Sequence, residues 1–320
     1  MNLDNNARAI VGALVADAAS LGLHWLYDTD RLADIALRGE PVFVAPDRVN
    51  YEGAKGSFVH CMRQAGDMSA YGECCTLMLR QLAEASGRFQ RVTYQSLYRR
   101  HFGPGGAYVG YIDKPTRGTL IRLIPHEDPS TYPQPSGVDD DQLPALACLP
   151  PVVVAAYRCG RDDASLWDEI EHVVRVTNNN EYAVDAGRAA GMLLVELLRG
   201  RKPLTAIDSA ASRAGEDLAS RMREAAQGSR MDVVSAAARF GSACHVEQGL
   251  PLICHIVAHA GSYREAVIAN IMAGGDSCGR SIVLGAAMAI IDEVPLGWMA
   301  RLRRLAEALD WIDRLESAPC

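Results

Sequence analysis

The 320-residue chain carries a net charge of −7, with 49% hydrophobic, 22% charged and only 6% aromatic residues. That is enough chain for a sizeable core in one domain or two, and its composition is that of a globular protein rather than a disordered or fibrous one. The acidic balance, with no basic cluster larger than Arg99-Arg100 or Arg301, Arg303 and Arg304, argues against a nucleic-acid partner bound through a basic face. Nine cysteines, an odd number with no Cys-x-x-Cys pair, argue against a disulfide framework or a zinc knuckle and for a reducing compartment. The N-terminal apolar run, residues 10–16, lies between Asp4 and Asp17 and is too short for a membrane span or a signal sequence. The expectation is a cytoplasmic protein with no membrane partner.

In chain order, residues 4–23 have helical periodicity, with Asp4 or Asn5 available as a cap and Asp17 on or beside the apolar face. A carboxylate there is costly unless it is paired or opens onto a cleft. Gly22 closes the helix and brings His24, Trp25 and Tyr27 together. Residues 31–38 read as a short helix, 41–46 as at most a short strand and 47–73 as loop. Residues 74–85 read as a helix. The stretch 99–118, with Gly-Pro-Gly-Gly at 103–106, reads as a long loop, and 125–137 is rich in Pro, Ser and Thr. From 144 onward the pattern is helical: 144–158, 164–176, 181–199, 203–226, 231–240, 247–259, 262–273, 280–292 and 297–316. Asp163 can cap one of these helices, Ser262 with Glu265 has capping-box spacing, and Gly200 is a helix stop. No repeat and no linker divides the chain, so the expectation is one all-α domain, a multi-helix orthogonal bundle covering residues 1–320. The amphipathic last helix can pack on the chain's own core or on a partner, and the oligomeric state is left open.

Polar residues concentrate at four loop-to-helix corners: residues 17–27, 67–73, 139–141 with 177–181, and 276–280 within the stretch 273–281. That stretch reads Ala-Gly-Gly-Asp-Ser-Cys-Gly-Arg-Ser. Its glycines allow a tight turn and close approach of a ligand, and a helix begins there, so free N–H groups and the positive dipole end face whatever binds. Taken singly, each corner has a plainer reading: a cap at Asp276, a solvated helix start at Asp139, Asp140 and Asp141, and a turn at Thr177-Asn178-Asn179-Asn180. His255 and His259 have the i, i+4 spacing of zinc ligands, but Ile256 stands where a metalloprotease carries Glu, and the neighbours are core-like. Cys74 and Cys75 read as packing residues, and the 103–106 run lacks the Lys-Ser/Thr of a phosphate-binding loop.

In this order along the chain, the corners resemble the ADP-ribosylglycohydrolase family, and within it the branch that includes the J-type lens crystallins. The matching residues are Asp17-Ala18-Ala19, Leu23-His24-Trp25-Leu26-Tyr27, Ser69-Ala70-Tyr71-Gly72-Glu73, Asp139-Asp140-Asp141-Gln142-Leu143-Pro144 and the run from Gly274 to Arg280. The resemblance covers nearly the whole chain and implies an all-α fold with a cleft for ADP-ribose. In the hydrolytic members it also implies two magnesium ions, held by a Thr-Asp-Asp corner and by two aspartates of a Gly-Gly-Asp-x-Asp-Thr corner. Carried over position by position, those ligands are here Ser69, Ala70 and Tyr71, then Asp276 and Cys278. The family's middle-corner histidine is Asn178, and the acid after its first helix is His24. Only Ser69 and Asp276 keep an oxygen donor suited to magnesium. The two-magnesium site is therefore expected to be lost, no other cofactor is expected, and no residue is assigned to a metal.

Two functions follow. One is a hydrolase cleaving a glycosidic bond to ribose in an ADP-ribosyl or related nucleoside or nucleotide substrate, which calls for carboxylates. The candidates for that chemistry are Asp17, Glu73, Asp140 and Asp276. Substrate would be held by His24, Tyr27, Ser69, Tyr71, Asp139, Asp141, Asn178, Gly274, Gly275, Ser277, Cys278 and Arg280, with Arg280 and the helix N-terminus on phosphate. The other is a non-catalytic, nucleotide-binding or structural member of the family. The expected partner is a small nucleotide-like molecule or an ADP-ribosylated one.

Overall fold

The computed structural model describes residues 3–227 and 231–320. Helix α1 (Asn5–Ser20) is capped by Asp4, whose carboxylate accepts from Ala7 N–H at 2.9 Å. From Ala9 to Ser20 every residue of α1 is buried, the mark of a core helix apolar on all sides. Helix α2 (Thr29–Arg38) is a surface helix by contrast and buries only Leu32 and Ile35. Then come α3 (Ala70–Glu84), α4 (Arg91–Phe102), α5 (Lys114–Leu123), α6 (Leu149–Arg158), α7 (Asp163–Val174) and α8 (Glu181–Leu198). The C-terminal half continues with α9 (Pro203–Ala211), α10 (Glu216–Gln227), α11 (Val233–Phe240), α12 (Val246–His259), α13 (Tyr263–Met272), α14 (Ser277–Ile291), α15 (Leu296–Met299) and α16 (Leu305–Ser317). Among the described residues the only β pairing is three isolated bridges, so the fold is all-α as expected.

The departures from expectation are local. The stretch 99–118 is not one long loop: α4 runs to Phe102, and Asp113 caps α5 through Thr116 N–H at 2.7 Å, with Pro115 in the first turn. Residues 203–226 form two helices separated at 212–215, residues 297–316 split into α15 and α16, and 41–46 forms no strand. Asp162 rather than Asp163 caps α7. The cysteine count also misled, because Cys159 at the end of α6 is joined to Cys320 by a disulfide with Cα atoms 5.2 Å apart. The pairing is a matter of tertiary proximity across 161 positions, which spacing does not reveal. The other seven cysteines are free.

The centre of the fold is the contact of α1 with α14. Gly12 and Gly285 face each other there. A Cβ on Gly285 would overlap Gly12 O, and one on Gly12 would overlap Ala289 Cβ. Tyr263 Oη donates to Gly12 O at 2.7 Å, and the hydroxyls of Ser20 and Ser281 meet at 2.9 Å. Among the described residues, Asn5–Leu23 is the one stretch long and apolar enough to cross a membrane, and 89% of it is buried in the protein's own core. The crossing sets the C-terminal half of α1, with Asp17, beside the N-terminus of α14, with Asp276.

Candidate functional site

Asp276 is fully buried and caps α14, its Oδ1 accepting from Gly279 N–H at 2.8 Å. The same oxygen accepts from His24 Nε2–H at 2.9 Å, and Oδ2 accepts from Tyr71 Oη–H at 2.7 Å. Burial pushes this carboxyl up, but His24, Tyr71 and the helix N–H outweigh it and hold the group below the usual aspartate value. Tyr71 moves the other way: burial and the neighbouring Asp276 push its phenol well above the ordinary range, so it stays a donor. On the far side of His24, Nδ1 lies 2.7 Å from His60 Nε2, and the two share one proton. Burial, with the charges of His24 and Arg63, pushes His60 well below the ordinary histidine range. Its Nδ1 is buried and has no hydrogen-bond partner among the described residues. The result is a continuous chain, His60–His24–Asp276–Tyr71.

Beside it, Asp17 is also fully buried. Its Oδ1 accepts from Ser69 Oγ–H at 2.5 Å and its Oδ2 from Ser69 N–H at 2.8 Å. Gly72 makes room for this, since a Cβ at that position would overlap Asp17 Oδ2. Burial pushes the Asp17 carboxyl up to about 6 despite the bonds from Ser69. Cys278, in the first turn of α14, directs its thiol to Asp17 O at 3.7 Å, and burial pushes that thiol well above its usual value.

The turn ahead of α14 is stitched to the His24 segment. Gly274 and Gly275 both have φ +69°, and a Cβ on Gly275 would overlap Ser242 O. Gly275 N–H donates to Leu26 O at 2.9 Å, and Trp25 N–H donates to Gly275 O at 2.8 Å. Trp25 itself has φ +65°, a strained value for a bulky residue and one that concentrates at ligand sites. Its ring meets Tyr111 edge-on at 4.9 Å, and half-buried Tyr27 lies with Lys55 Nζ 5.8 Å from its ring centroid. The hydroxyl of Ser277 is buried and has no hydrogen-bond partner among the described residues.

Arg280 is placed differently from the expectation. It is fully buried, and its guanidinium donates to Asn270 Oδ1, Asn270 O, Ser242 O and Gly274 O at 2.6–3.1 Å. Burial lowers it only to about 10, so it remains a cation that locks the turn rather than one free to hold phosphate. Glu73 also departs. It lines a pocket of about 410 Å³ together with Arg63, Arg80, His101 and Arg304. There it pairs with Arg63 at 2.9 Å, His101 at 3.0 Å and Arg304. Burial pushes the Glu73 carboxyl up, but His101, Arg304 and Arg63 more than offset it and hold it low, which does not suit a proton donor.

The three consecutive acids diverge. Asp139 accepts from Asn180 Nδ2 at 2.7 Å, and Asp141 meets His245 Nδ1 at 2.6 Å. Asp140, 6% exposed, accepts from Gln142 N–H at 2.9 Å and pairs with Lys114 at 2.9 Å. Asn178 is buried, and its Nδ2–H groups hold the carbonyls of Asp140 and Gln142, so it shapes the acidic loop from behind. Of the rival histidines, His255 sets its two ring nitrogens against Ala225 O and Met231 O at 3.0 and 3.2 Å. Cys74 and Cys75 are buried, with thiols pushed up by burial.

Sequence reasoning passed over two residues. Asp113 is 4% exposed, and burial pushes its carboxyl up to about 6, with Asp276 adding to the rise. Its Asp-Lys-Pro-Thr context is a helix-start signal that the loop reading of 99–118 obscured. His60 stands in a loop with no local pattern around it, and no sequence signal marks it. The donor set does not fit a magnesium pair. Asp276 already accepts three hydrogen bonds, Ala70 has no donor, Tyr71 holds its proton, and Cys278 offers a soft sulfur.

A sequence model of the ADP-ribosylglycohydrolase family matches residues 2–319. Crystallin J1A and crystallin J1B of Tripedalia cystophora are each 28% identical to this chain, over 98% of it and 96% of each relative. A solved structure titled "ADP-ribosylglycohydrolase-related protein complex" superposes with a TM-score of 0.69 at 16% identity, over 98% of this chain and 97% of that one. The chain belongs to the ADP-ribosylglycohydrolase family.

Proposed function

We propose that this chain hydrolyses a glycosidic bond to ribose in an ADP-ribosyl or related nucleoside or nucleotide substrate, and does so without the family's two-magnesium site. The observation that carries the reading is a pair of buried carboxyls pushed apart in acidity, Asp276 below its usual value and Asp113 up to about 6. Such separation is what assigns a base and an acid at neutral pH. Asp113, as the acid, gives its proton to the leaving group as the ribose C1 bond breaks. The negative Asp276, steadied by His24 and Tyr71, opposes the positive charge that develops on the ribose. A water then attacks C1 and returns a proton to Asp113. Asp140 lies on the same side, since Cys244 senses the charges of Asp276, Asp140 and Asp113 together. Trp25, Tyr27 and Tyr111 supply an aromatic wall for a base or a ribose. Glu73 and Arg280 are reassigned from chemistry and phosphate binding to holding the fold.

A second reading, a non-catalytic nucleotide-binding or structural protein, is favoured by one observation: His24, Tyr71 and Gly279 already occupy three acceptor positions of the Asp276 carboxylate. The named relatives being crystallins points the same way. The test is release of ADP-ribose from N- and O-linked ADP-ribosyl substrates with no magnesium added, alongside thermal shift with ADP-ribose. Turnover lost in Asp113→Asn supports the hydrolase. A melting-point rise without turnover selects the binding protein. Neither signal, or turnover that requires magnesium, overturns the proposal.

A further inference from the structure

We propose that His24 Nδ1, His60 Nε2 and Cys278 Sγ form a site for one zinc ion, so that this corner of the fold has exchanged a hard-metal site for a soft one. One ligand atom from each of these three residues lies within 4.8 Å of the others, and all three residues are buried. His24 Nδ1 and His60 Nε2 already face each other at 2.7 Å. A tetrahedral zinc with bonds of about 2.0–2.1 Å to nitrogen and 2.3 Å to sulfur needs the two nitrogens roughly 3.3 Å apart. The nitrogens must therefore part by roughly 0.6 Å, and the sulfur, within 4.8 Å at present, must sit roughly 3.6 Å from each.

The surroundings are those of a metal-binding histidine. His24 donates its other nitrogen to Asp276, which is itself fixed by Tyr71 and Gly279, the carboxylate–histidine arrangement that orients a ligand and raises its basicity. Imidazole and thiolate are donors that zinc prefers and magnesium does not. Charge also balances. The dication is met by the Cys278 thiolate and by Asp276 and Asp17 alongside, with the Arg280 cation behind them. On binding, the proton shared by the two histidines moves to His60 Nδ1, a ring nitrogen with no other partner, and the thiol proton is released. This site stands separately from the hydrolase reading, because metal can bind whether or not a bond is cleaved.

The test is to strip the full chain with a chelator and titrate it with cobalt(II) as a spectroscopic stand-in for zinc. Saturation at one equivalent is expected, with a thiolate-to-cobalt charge-transfer band and the intense visible bands of a tetrahedral ion, both erased by adding zinc. Cys278→Ser should abolish the charge-transfer band, and His60→Gln should weaken cobalt affinity at least tenfold, with circular dichroism confirming that each variant is folded. Millimolar magnesium should not compete. Absence of the band in the unmodified chain, or a band undiminished in Cys278→Ser and so arising from half-exposed Cys244 or exposed Cys61, overturns the site. If Cys278→Ser does not fold, the unmodified chain's spectrum and the His60→Gln titration decide.

Discussion

In the proposed hydrolase Asp113 has two roles that can be separated by a single atom. As a cap it accepts from Thr116 N–H, which Asn does equally well. As an acid it must ionise, which Asn cannot do. Because its folded-state acidity is weakened from 3.8 to about 6, the folded chain binds a proton there that the unfolded chain has lost. The associated stability is fully present below pH 3.8 and is lost as pH rises through 6. Asp113→Asn should therefore melt higher than the unmodified chain above pH 6, by an amount approaching roughly 3 kcal/mol. The gap should close towards pH 4, while turnover falls by about 10²–10⁴-fold. Thermal melts at several pH values, paired with activity, check both halves. A variant that is active, or no more stable at pH 8 than at pH 4.5 relative to the unmodified chain, would remove Asp113 from the chemistry.

Between elements, Glu73 works as a clamp. It sits in the first turn of α3 and gathers Arg63 from the preceding loop, His101 from the end of α4 and Arg304 from the start of α16. Removing its charge leaves the partly buried Arg63 and Arg304 without their anion, which is more damaging than losing a surface pair. Glu73→Gln should destabilise by about 2–3 kcal/mol at pH 7, discounted from the fully buried case because Arg304 is a third exposed. Since the Glu73 carboxyl is held below 4.5, its stabilisation is present above that pH and is lost as pH falls through the folded value. Denaturant melts at pH 7 and pH 4 should show the difference shrinking. The α1–α14 crossing is a second joint. Gly285→Ala places a methyl group against Gly12 O and Ala16 Cβ, where backbone cannot yield. A loss of about 1–3 kcal/mol is expected, together with weakened ligand binding, because Asp17 and Asp276 are carried by those two helices. Equal ligand affinity in a destabilised Gly285→Ala protein would show that the crossing does not set the site.

Over the whole molecule, the Cys159–Cys320 bridge ties the last residue to the end of α6. It closes a long loop, and the stabilisation expected of such a bridge is about 2–4 kcal/mol. Cys320→Ser should melt lower than the unmodified chain under oxidising conditions and equally in a strong reductant. Identical melting in both conditions would mean that the bridge carries no stability.

Helix content and the family were legible in the chain itself, because both rest on short-range information. Apolar spacing sets helices, and motifs such as Ser69-Ala70-Tyr71-Gly72-Glu73 and Gly274 to Arg280 keep their order without any knowledge of the fold. The sequence also marked Asp17, His24, Tyr71 and Asp276 as unusual, since polar groups beside apolar runs must find partners. It could not say which partners. Tyr71 and Asp276 lie 205 positions apart and Ser69 and Asp17 lie 52 apart, and only the packing of α1, α3 and α14 joins them. For the same reason Arg280 and Glu73, which carry the charges of a binding site, proved to spend them elsewhere, Arg280 on backbone carbonyls and Glu73 on Arg63, His101 and Arg304. Asp113 and His60 became visible only once burial had shifted the acidity of one and left the other with an unpartnered nitrogen. The chain determines which groups are costly to bury, and the tertiary structure decides what compensates each of them, because hydrogen bonds and desolvation act between atoms near in space rather than near in sequence.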